Sequence, residues 1–289
     1  DAIDTTRWFA DLSTLADWDR SSYGPELALS RAWIETRFSG LGLSVSAPAF
    51  TMPGPGGGQI SVNNVIGQWT GTLFPEQWII VGGHYDSRNS SSSSTVNTPG
   101  AEDNASGCAG VIELARVLVG FAPERSILFM CYAGEEQGLH GSYAHVQSLQ
   151  ASGNLAKVQA VVTMDMIGYS ADSQLDAVFE SYSTWIAYLN QFAAAAATYA
   201  PELQVTLSTN PFGSDHMPYL QAGKRTLLAI ESDYDAYPWY HNSGDTPAHI
   251  GANAQAMGGA ILKTSIAVIA QIAGINDRIF ASGFESSAN

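Results

Sequence analysis

Apolar positions along this chain follow two periods, one helical and one alternating, and the two exchange places repeatedly. The opening "DAIDTTRWFADLSTLADWDR", residues 1–20, spaces its apolar residues for a helix. The stretch "GPELALSRAWIETRFSGLGL" predicts a longer amphipathic helix ending at Gly40. "SVSAPAF", "VNNVIGQWTG" and "QWIIVGGHYDS" then read as strands, the last apolar enough for a sheet centre. A polar loop with a serine run, "RNSSSSSTVNTPGAEDNAS", separates them from a helix in "GCAGVIELARVLVG", for which Asn104 or Ser106 is a suitable cap.

The exchange continues to the end of the chain. "RSILFMCYA", "VQAVVTMDMIGY", "LDAVFES", "LQVTLS" and "RTLLAIES" predict strands. "GLHGSYAHVQSLQ", "TWIAYLNQFAAAAATYA", "GSDHMPYLQAG" and "ANAQAMGGAILKTSIAVIAQIAG" predict helices, the alanine run being a strong helix former rather than a cofactor motif. Strands alternating with helices argue for a three-layer α/β/α sandwich around a mixed, mostly parallel sheet. No internal repeat or linker interrupts residues 1–275, so one domain is expected there, with 276–289 as a C-terminal tail.

Composition narrows the partners more than the fold. The chain has 289 residues, 45% hydrophobic and 13% charged, which suits a globular core rather than disorder. Its net charge of −15 repels nucleic acid and anionic membranes, so neither is an expected partner. No run of 18 or more apolar residues occurs, so no membrane-spanning helix is expected. The chain opens on Asp1 rather than methionine and is read as a processed mature form or a trimmed piece of a longer chain. The acidic balance, few lysines and many small polar residues suit a secreted or periplasmic bacterial protein. Cys108 and Cys131 form no CxxC pattern; two buried thiols or one helix-to-strand disulfide are both open.

The chemistry gathers where predicted strands end. His84 and Asp86 follow "QWIIVGG", Glu135 and Glu136 follow "ILFMCYA", and Asp165 follows "VQAVVTM". Asp103 and His241 lie on loops that reach the same edge. In an open α/β sheet that edge is where ligands bind. Imidazole and carboxylate together suit zinc, and cations would also relieve the repulsion between adjacent glutamates. Residues i and i+2 share a face of an extended segment, so the Asp86 carboxylate is expected to hold the far nitrogen of His84.

The segments "GGHYDS", "GAEDNASG", "AGEEQGLHGS", "VTMDMIGY" and "YHNSGDT" occur in the order and spacing of the di-zinc aminopeptidases of peptidase family M28. The resemblance runs over about residues 20–275 and is similar to the secreted leucine aminopeptidases of vibrios and streptomycetes. It implies the zinc-exopeptidase, phosphorylase/hydrolase-like fold and two zinc ions per chain. Asp103 would bridge them, His84 and Asp165 completing one site and Glu136 and His241 the other. Glu135 would be the general base acting on a metal-activated water. The resemblance also implies a cis peptide at Asp103–Asn104. Tyr240 matches a streptomycete tyrosine and is the expected oxyanion donor. The vibrio-type tyrosine and small disulfide are missing from "TNPFGSDH", where Phe212 is expected to line the first side-chain pocket. The substrates implied are peptide or protein N-termini, with hydrophobic first residues, acted on by a monomer.

Related chemistries compete. A carboxypeptidase or dipeptidase of the family would need a base for the substrate carboxylate, for which Arg88, Lys224 and Arg225 are candidates. A glutaminyl cyclase shares a "HYDS" segment but uses one zinc. A metal-free binding module should show broken ligands, and none is broken here. Bland roles are expected for the rest. His216 pairs with Asp215, and His140, His145 and His249 sit on surfaces. Met164 and Met166 pack on the sheet, and Trp239 and Tyr237 pack at the rim.

Overall fold

The computed structural model describes residues 2–91 and 93–275, so the tail expected at 276–289 lies outside the described residues. Helix α1 spans Thr5–Ala16, shorter than the pattern suggested. Asp4 caps it, accepting from the Arg7 N–H at 3.0 Å. Helix α2 spans Leu27–Gly40. The next two predicted strands each break in two. β1 (Ser44–Ser46) is separated from β2 (Ala49–Pro53) at Pro48, and β3 (Gln59–Asn63) from β4 (Val65–Trp69) at Asn64. β2 and β3 pair as a separate two-stranded sheet. Proline lacks a ladder donor. Asn64 is buried, with its side chain donating to Gly141 O at 2.8 Å and accepting from Ala133 N at 3.1 Å.

Strands β5 (Phe74–His84), β6 (Arg125–Tyr132) and β7 (Val158–Met164) form the centre, with helix α3 (Gly107–Leu118) between β5 and β6 and α4 (His140–Ala151) between β6 and β7. β8 (Leu175–Glu180), α5 (Ile186–Tyr199), β9 (Leu203–Ser208), α6 (His216–Gln221), β10 (Thr226–Glu231) and α7 (Ala254–Ala273) follow. The eight-stranded sheet has the order β1-β4-β6-β5-β7-β10-β8-β9. Its middle pairs β6-β5, β5-β7 and β7-β10 are parallel. Antiparallel pairs β1-β4, β4-β6 and β10-β8 flank them. The sheet is therefore mixed around a parallel centre.

Alternation along the strands decides which helices cover which face. Ile79, Val81, Ile127, Phe129, Ala160 and Val162 join the large core under α1, α3, α5 and α7. Ile80, Leu128, Met130 and Val161 point the other way, to Val146 and Leu149 of α4 and Tyr219 of α6. Both faces are thus covered, as a parallel centre requires. Helix α7 is long and apolar enough by composition to cross a membrane, but 78% of its apolar window is buried within this fold.

The topology also fixes the crevice. The chain leaves β5 for β6 on one side, then returns to β7 on the other. The order reverses at β5, so a crevice opens at the carboxyl ends of β5 and β7. His84 is the last residue of β5, and Asp165 directly follows β7.

Candidate metal centre

The loop after β5 returns through an irregular turn, Ala101–Ser106, which sets Asp103 above the crevice. Two hydrogen bonds of Asn104 hold this turn. The Asp103–Asn104 bond is cis. Asn104 Oδ1 accepts the Gly107 N–H at 2.8 Å and its amide donates to Met164 O at 3.0 Å. A side chain at Gly107 would place a Cβ 2.4 Å from both Asn104 Oδ1 and Met164 O, so glycine is needed where α3 meets β7. Behind this corner, Cys108 in the first turn of α3 is disulfide-bonded to Cys131 of β6, with Cα atoms 5.8 Å apart. Of the two readings open from sequence, the disulfide is the one observed.

Asp103 faces both ways. Its Oδ1 lies 3.2 Å from His84 Nε2 and its Oδ2 lies 2.9 Å from His241 Nε2. Around His84 Nε2 stand Asp165 Oδ1 at 3.4 Å and Glu135 Oε2 at 4.0 Å. Around His241 Nε2 stands Glu136 Oε2 at 3.2 Å. The ligand atoms of His84, Glu135 and Asp165 lie within 4.8 Å of one another, as do those of Asp103, Glu136 and His241. His84 Nε2, Asp165 Oδ1 and Glu136 Oε1 are buried without a hydrogen-bond partner among the described residues. Buried polar atoms are rarely left so, and these converge from different elements. The donor set, imidazole with carboxylate oxygen, fits zinc.

Electrostatics supports the same reading. Burial pushes the Glu135 carboxyl up, as does the charge of Asp165, with His84 opposing them. Burial and the charge of Asp103 push Glu136 up to about 7. Burial also pushes Asp103 up, but the His241 and His84 imidazoles that face its two oxygens outweigh burial and hold that carboxyl well below the usual range. Burial opposes charge on His241, yet bonds to Asp103 and Glu136 raise it to about 9. The cluster therefore needs positive charge to ionise fully.

Part of that charge is built in. Arg20, just beyond α1, is fully buried. It donates from Nε to Tyr85 O at 2.8 Å, and from its terminal nitrogens to Pro99 O and Gly100 O, both at 2.6 Å. Burial lowers its pKa to about 10, and the charges of Asp245, Asp86, Asp103 and Glu136 resist that fall. It remains a cation beneath the acids and ties together the two ends of the loop that carries Asp86 and leads into Asp103. The helical spacing of the first 20 residues gave no signal for this role.

Asp86 differs from its sequence reading in the atom it uses. His84 Nδ1 bonds the backbone carbonyl of Asp86 at 3.0 Å, while the nearer carboxylate oxygen is 3.5 Å away. The chain has left β5 by residue 86, so the strict i, i+2 geometry no longer applies. The carboxylate instead accepts from Ser22 Oγ at 2.9 Å and from the backbone N–H groups of Glu135 and Glu136 at 3.3 Å each. It orients the glutamate pair. Asp245, in the "YHNSGDT" segment, plays a similar part for Asp103. It accepts from Glu102 N at 2.8 Å, Asp103 N at 3.0 Å and the buried Tyr237 hydroxyl at 2.9 Å. Tyr237 is thus a buried support and not a rim aromatic.

Two histidine expectations are corrected. His216 pairs not with Asp215 but with Glu180 Oε1, 3.1 Å from Nε2. His145 is not on the surface: its Nδ1 bonds Tyr219 Oη at 2.6 Å, and Tyr219 bonds Tyr132 at 2.8 Å. Both partners come from distant strands or helices, which local sequence does not reveal. His249 is exposed and stacks on Trp239 at 4.5 Å.

A cavity of about 590 Å³ opens over the cluster. Arg88, Glu136, Tyr240 and His241 stand in its lining, as do Phe212, Met166, Val178, Leu228 and Ile230. Tyr240 is 43% exposed and stacks on the His241 ring at 3.8 Å. Burial of its phenol and the nearby carboxylates, Asp103 foremost, raise its pKa and keep its proton available. His241 and Met166 both hold positive φ, at 51° and 49°. For residues with a side chain this is unfavourable, and such strain gathers at functional sites.

A probable zinc metalloprotease of the fungus Pyrenophora teres f. teres is 41% identical to this chain over 113 residues, which is 38% of this chain and 24% of the relative. The chain thus aligns with about a quarter of that protein's length. Among solved structures, a zinc aminopeptidase from Bacillus subtilis superposes with a TM-score of 0.80 at 17% identity, covering 93% of this chain and 95% of that one. A glutaminyl cyclase from Fimbriiglobus ruber superposes with a TM-score of 0.75 at 20% identity, covering 91% and 94%. At such identities these two structures establish the fold. The family model for Peptidase family M28 matches residues 64–265, a span holding all of His84, Asp103, Glu135, Glu136, Asp165 and His241, and this chain belongs to that family.

Proposed function

We propose that this protein is a zinc-dependent aminopeptidase with two metal ions per chain, removing hydrophobic N-terminal residues from peptides. The observation that carries the proposal is the two-sided Asp103 carboxylate, one oxygen toward His84 and the other toward His241. One site would take His84, Asp165 and Asp103, and the other Glu136, His241 and Asp103. Zinc bound there would supply Lewis acidity and bring the ionisation of a water near neutral pH.

The protein's own groups divide the remaining work. Glu135 stands back at 4.0 Å from His84 Nε2, farther than Asp103 or Asp165. Its carboxylate takes the proton of the attacking water and returns it to the leaving amine. The Tyr240 hydroxyl donates to the oxyanion. The apolar wall of Met166, Val178, Leu228, Ile230 and Phe212 receives the first side chain. A core disulfide fits an oxidising compartment, and we place the protein outside the cytoplasm.

The fold is also that of a glutaminyl cyclase, but a second ligand trio has no use in a one-zinc cyclisation. The test compares leucine p-nitroanilide with its N-acetylated form, with and without chelator. Cleavage of the free-amine substrate alone, lost on chelation and restored by zinc, is expected. Equal cleavage of both forms, or activity indifferent to chelation, refutes the proposal.

A further inference from the structure

Within this reading as an aminopeptidase, one lining residue is out of character with its surroundings. The cavity wall carries Asp103, Glu135, Glu136, Asp165 and Glu180, yet Arg88 is its one lysine or arginine among the described residues. Arg88 lies four residues beyond the end of β5, with its side chain 27% exposed. Its Nε is 3.4 Å from Glu136 Oε2, and a terminal nitrogen is 2.6 Å from His241 Nδ1. Nε is buried and has no hydrogen-bond partner among the described residues. Glu136 Oε2 is the same atom that faces His241 Nε2, so a cation bound there would draw it away from the guanidinium.

The sheet order gives Arg88 a side. The apolar wall is built from Val178 of β8 and Leu228 and Ile230 of β10, which lie beyond β7. Arg88 extends from β5, on the other side of the Asp103–Asp165 cluster. A peptide with its first side chain in the apolar chamber and its scissile carbonyl over Asp103 continues toward β5. One residue of chain advances about 3.8 Å between Cα atoms, and the guanidinium lies 3.4 Å from Glu136 and 2.6 Å from His241 at the edge of the same cluster, so the group after the cleaved bond would come within its reach. Apart from His241, the other ionisable side chains of the cavity lining are tyrosines and carboxylates, so Arg88 is the lining group best suited to receive a carboxylate. A planar guanidinium matches it with two parallel hydrogen bonds.

We propose that Arg88 binds a carboxylate on the leaving side of the scissile bond, so that the enzyme favours substrates with negative charge immediately after the residue removed. That charge comes from the C-terminus of a dipeptide or from an acidic second side chain.

The test measures kcat/KM on zinc-loaded protein, with metal content checked in each variant. Leu-Ala is paired with Leu-Ala amide, and Leu-Glu amide with Leu-Gln amide. Wild type is expected to favour the charged member of at least one pair by about tenfold, expressed mainly in KM. In Arg88→Ala the ratio falls to near one, and Arg88→Lys restores part of it. Preference in the first pair alone assigns the chain terminus, and in the second alone the acidic side chain. Equal ratios in wild type and Arg88→Ala overturn the proposal. Calorimetric binding of Leu-Ala and its amide to Glu135→Gln, with and without Arg88→Ala, reads the same preference without turnover. If no substrate is cleaved, the aminopeptidase reading fails while this binding comparison still decides the role of Arg88.

Discussion

Replacing His145 by glutamine should remove a pH dependence from the stability of the fold. His145 lies in α4 against Tyr219, and burial lowers its pKa to about 4 from an ordinary 6.5. The imidazole is therefore neutral in the folded protein, while the unfolded chain takes up a proton below about pH 6.5. Its contribution is present in full above that pH and is lost as pH falls toward 4. The whole shift is worth about 3 kcal/mol, and about 2 kcal/mol of it disappears between pH 7.5 and 5. Other buried groups run the opposite way. Burial raises Glu102 to about 8 and Asp245 to about 7, so their terms favour the folded state at lower pH. The informative quantity is thus the difference between wild type and His145→Gln, which retains a polar partner for Tyr219. Urea unfolding at several pH values should show wild type losing about 2 kcal/mol more than the variant from pH 7.5 to 5. Parallel stability curves for the two proteins would refute the assignment of a buried, neutral histidine.

Other perturbations test the site and its supports. Glu135→Gln should lower kcat by about 10²–10⁴ while both zinc ions remain, measured by steady-state kinetics and metal analysis; lost zinc would make Glu135 a ligand instead. In Asp245→Asn one of the two oxygens becomes an amide donor facing the N–H of either Glu102 or Asp103, so zinc affinity should fall about 10–100-fold in a competition titration. Opening the Cys108–Cys131 disulfide, which spans 23 residues, should cost about 3 kcal/mol in urea unfolding of the doubly alanine-substituted protein; a much smaller loss would show that the disulfide restrains little of the unfolded chain.

The elements that carry the candidate ligands are readable because each strand ends in an abrupt change of character. "QWIIVGG" runs into His84, "VQAVVTM" into Asp165, and the apolar residues before Glu135 leave no other reading than a buried strand. A parallel centre makes such runs continuous, and its carboxyl ends share one edge. What escaped notice depends on partners far away in sequence. Arg20 is held by carbonyls of Tyr85, Pro99 and Gly100, and nothing near residue 20 announces them. Glu180 meets His216 from another strand, and His145 meets Tyr219 from another helix. Asp245 was already visible within "YHNSGDT", but its role as a backbone acceptor for Asp103 depends on how two loops close together. The β2–β3 hairpin has no clear signal in the apolar pattern, although Pro48 marks the interruption before it.

The most direct test of the central claim is mass spectrometry of a peptide after incubation with the zinc-loaded protein. The peptide would begin with leucine followed by glutamine, with a free amine at one end and a free carboxylate at the other. The account predicts loss of leucine first, with the C-terminal residue intact, and no leucine lost from the N-acetylated peptide. Removal of residues from the C-terminus with the leucine left in place, or, from a second peptide that itself begins with glutamine, loss of ammonia in place of hydrolysis, would contradict it.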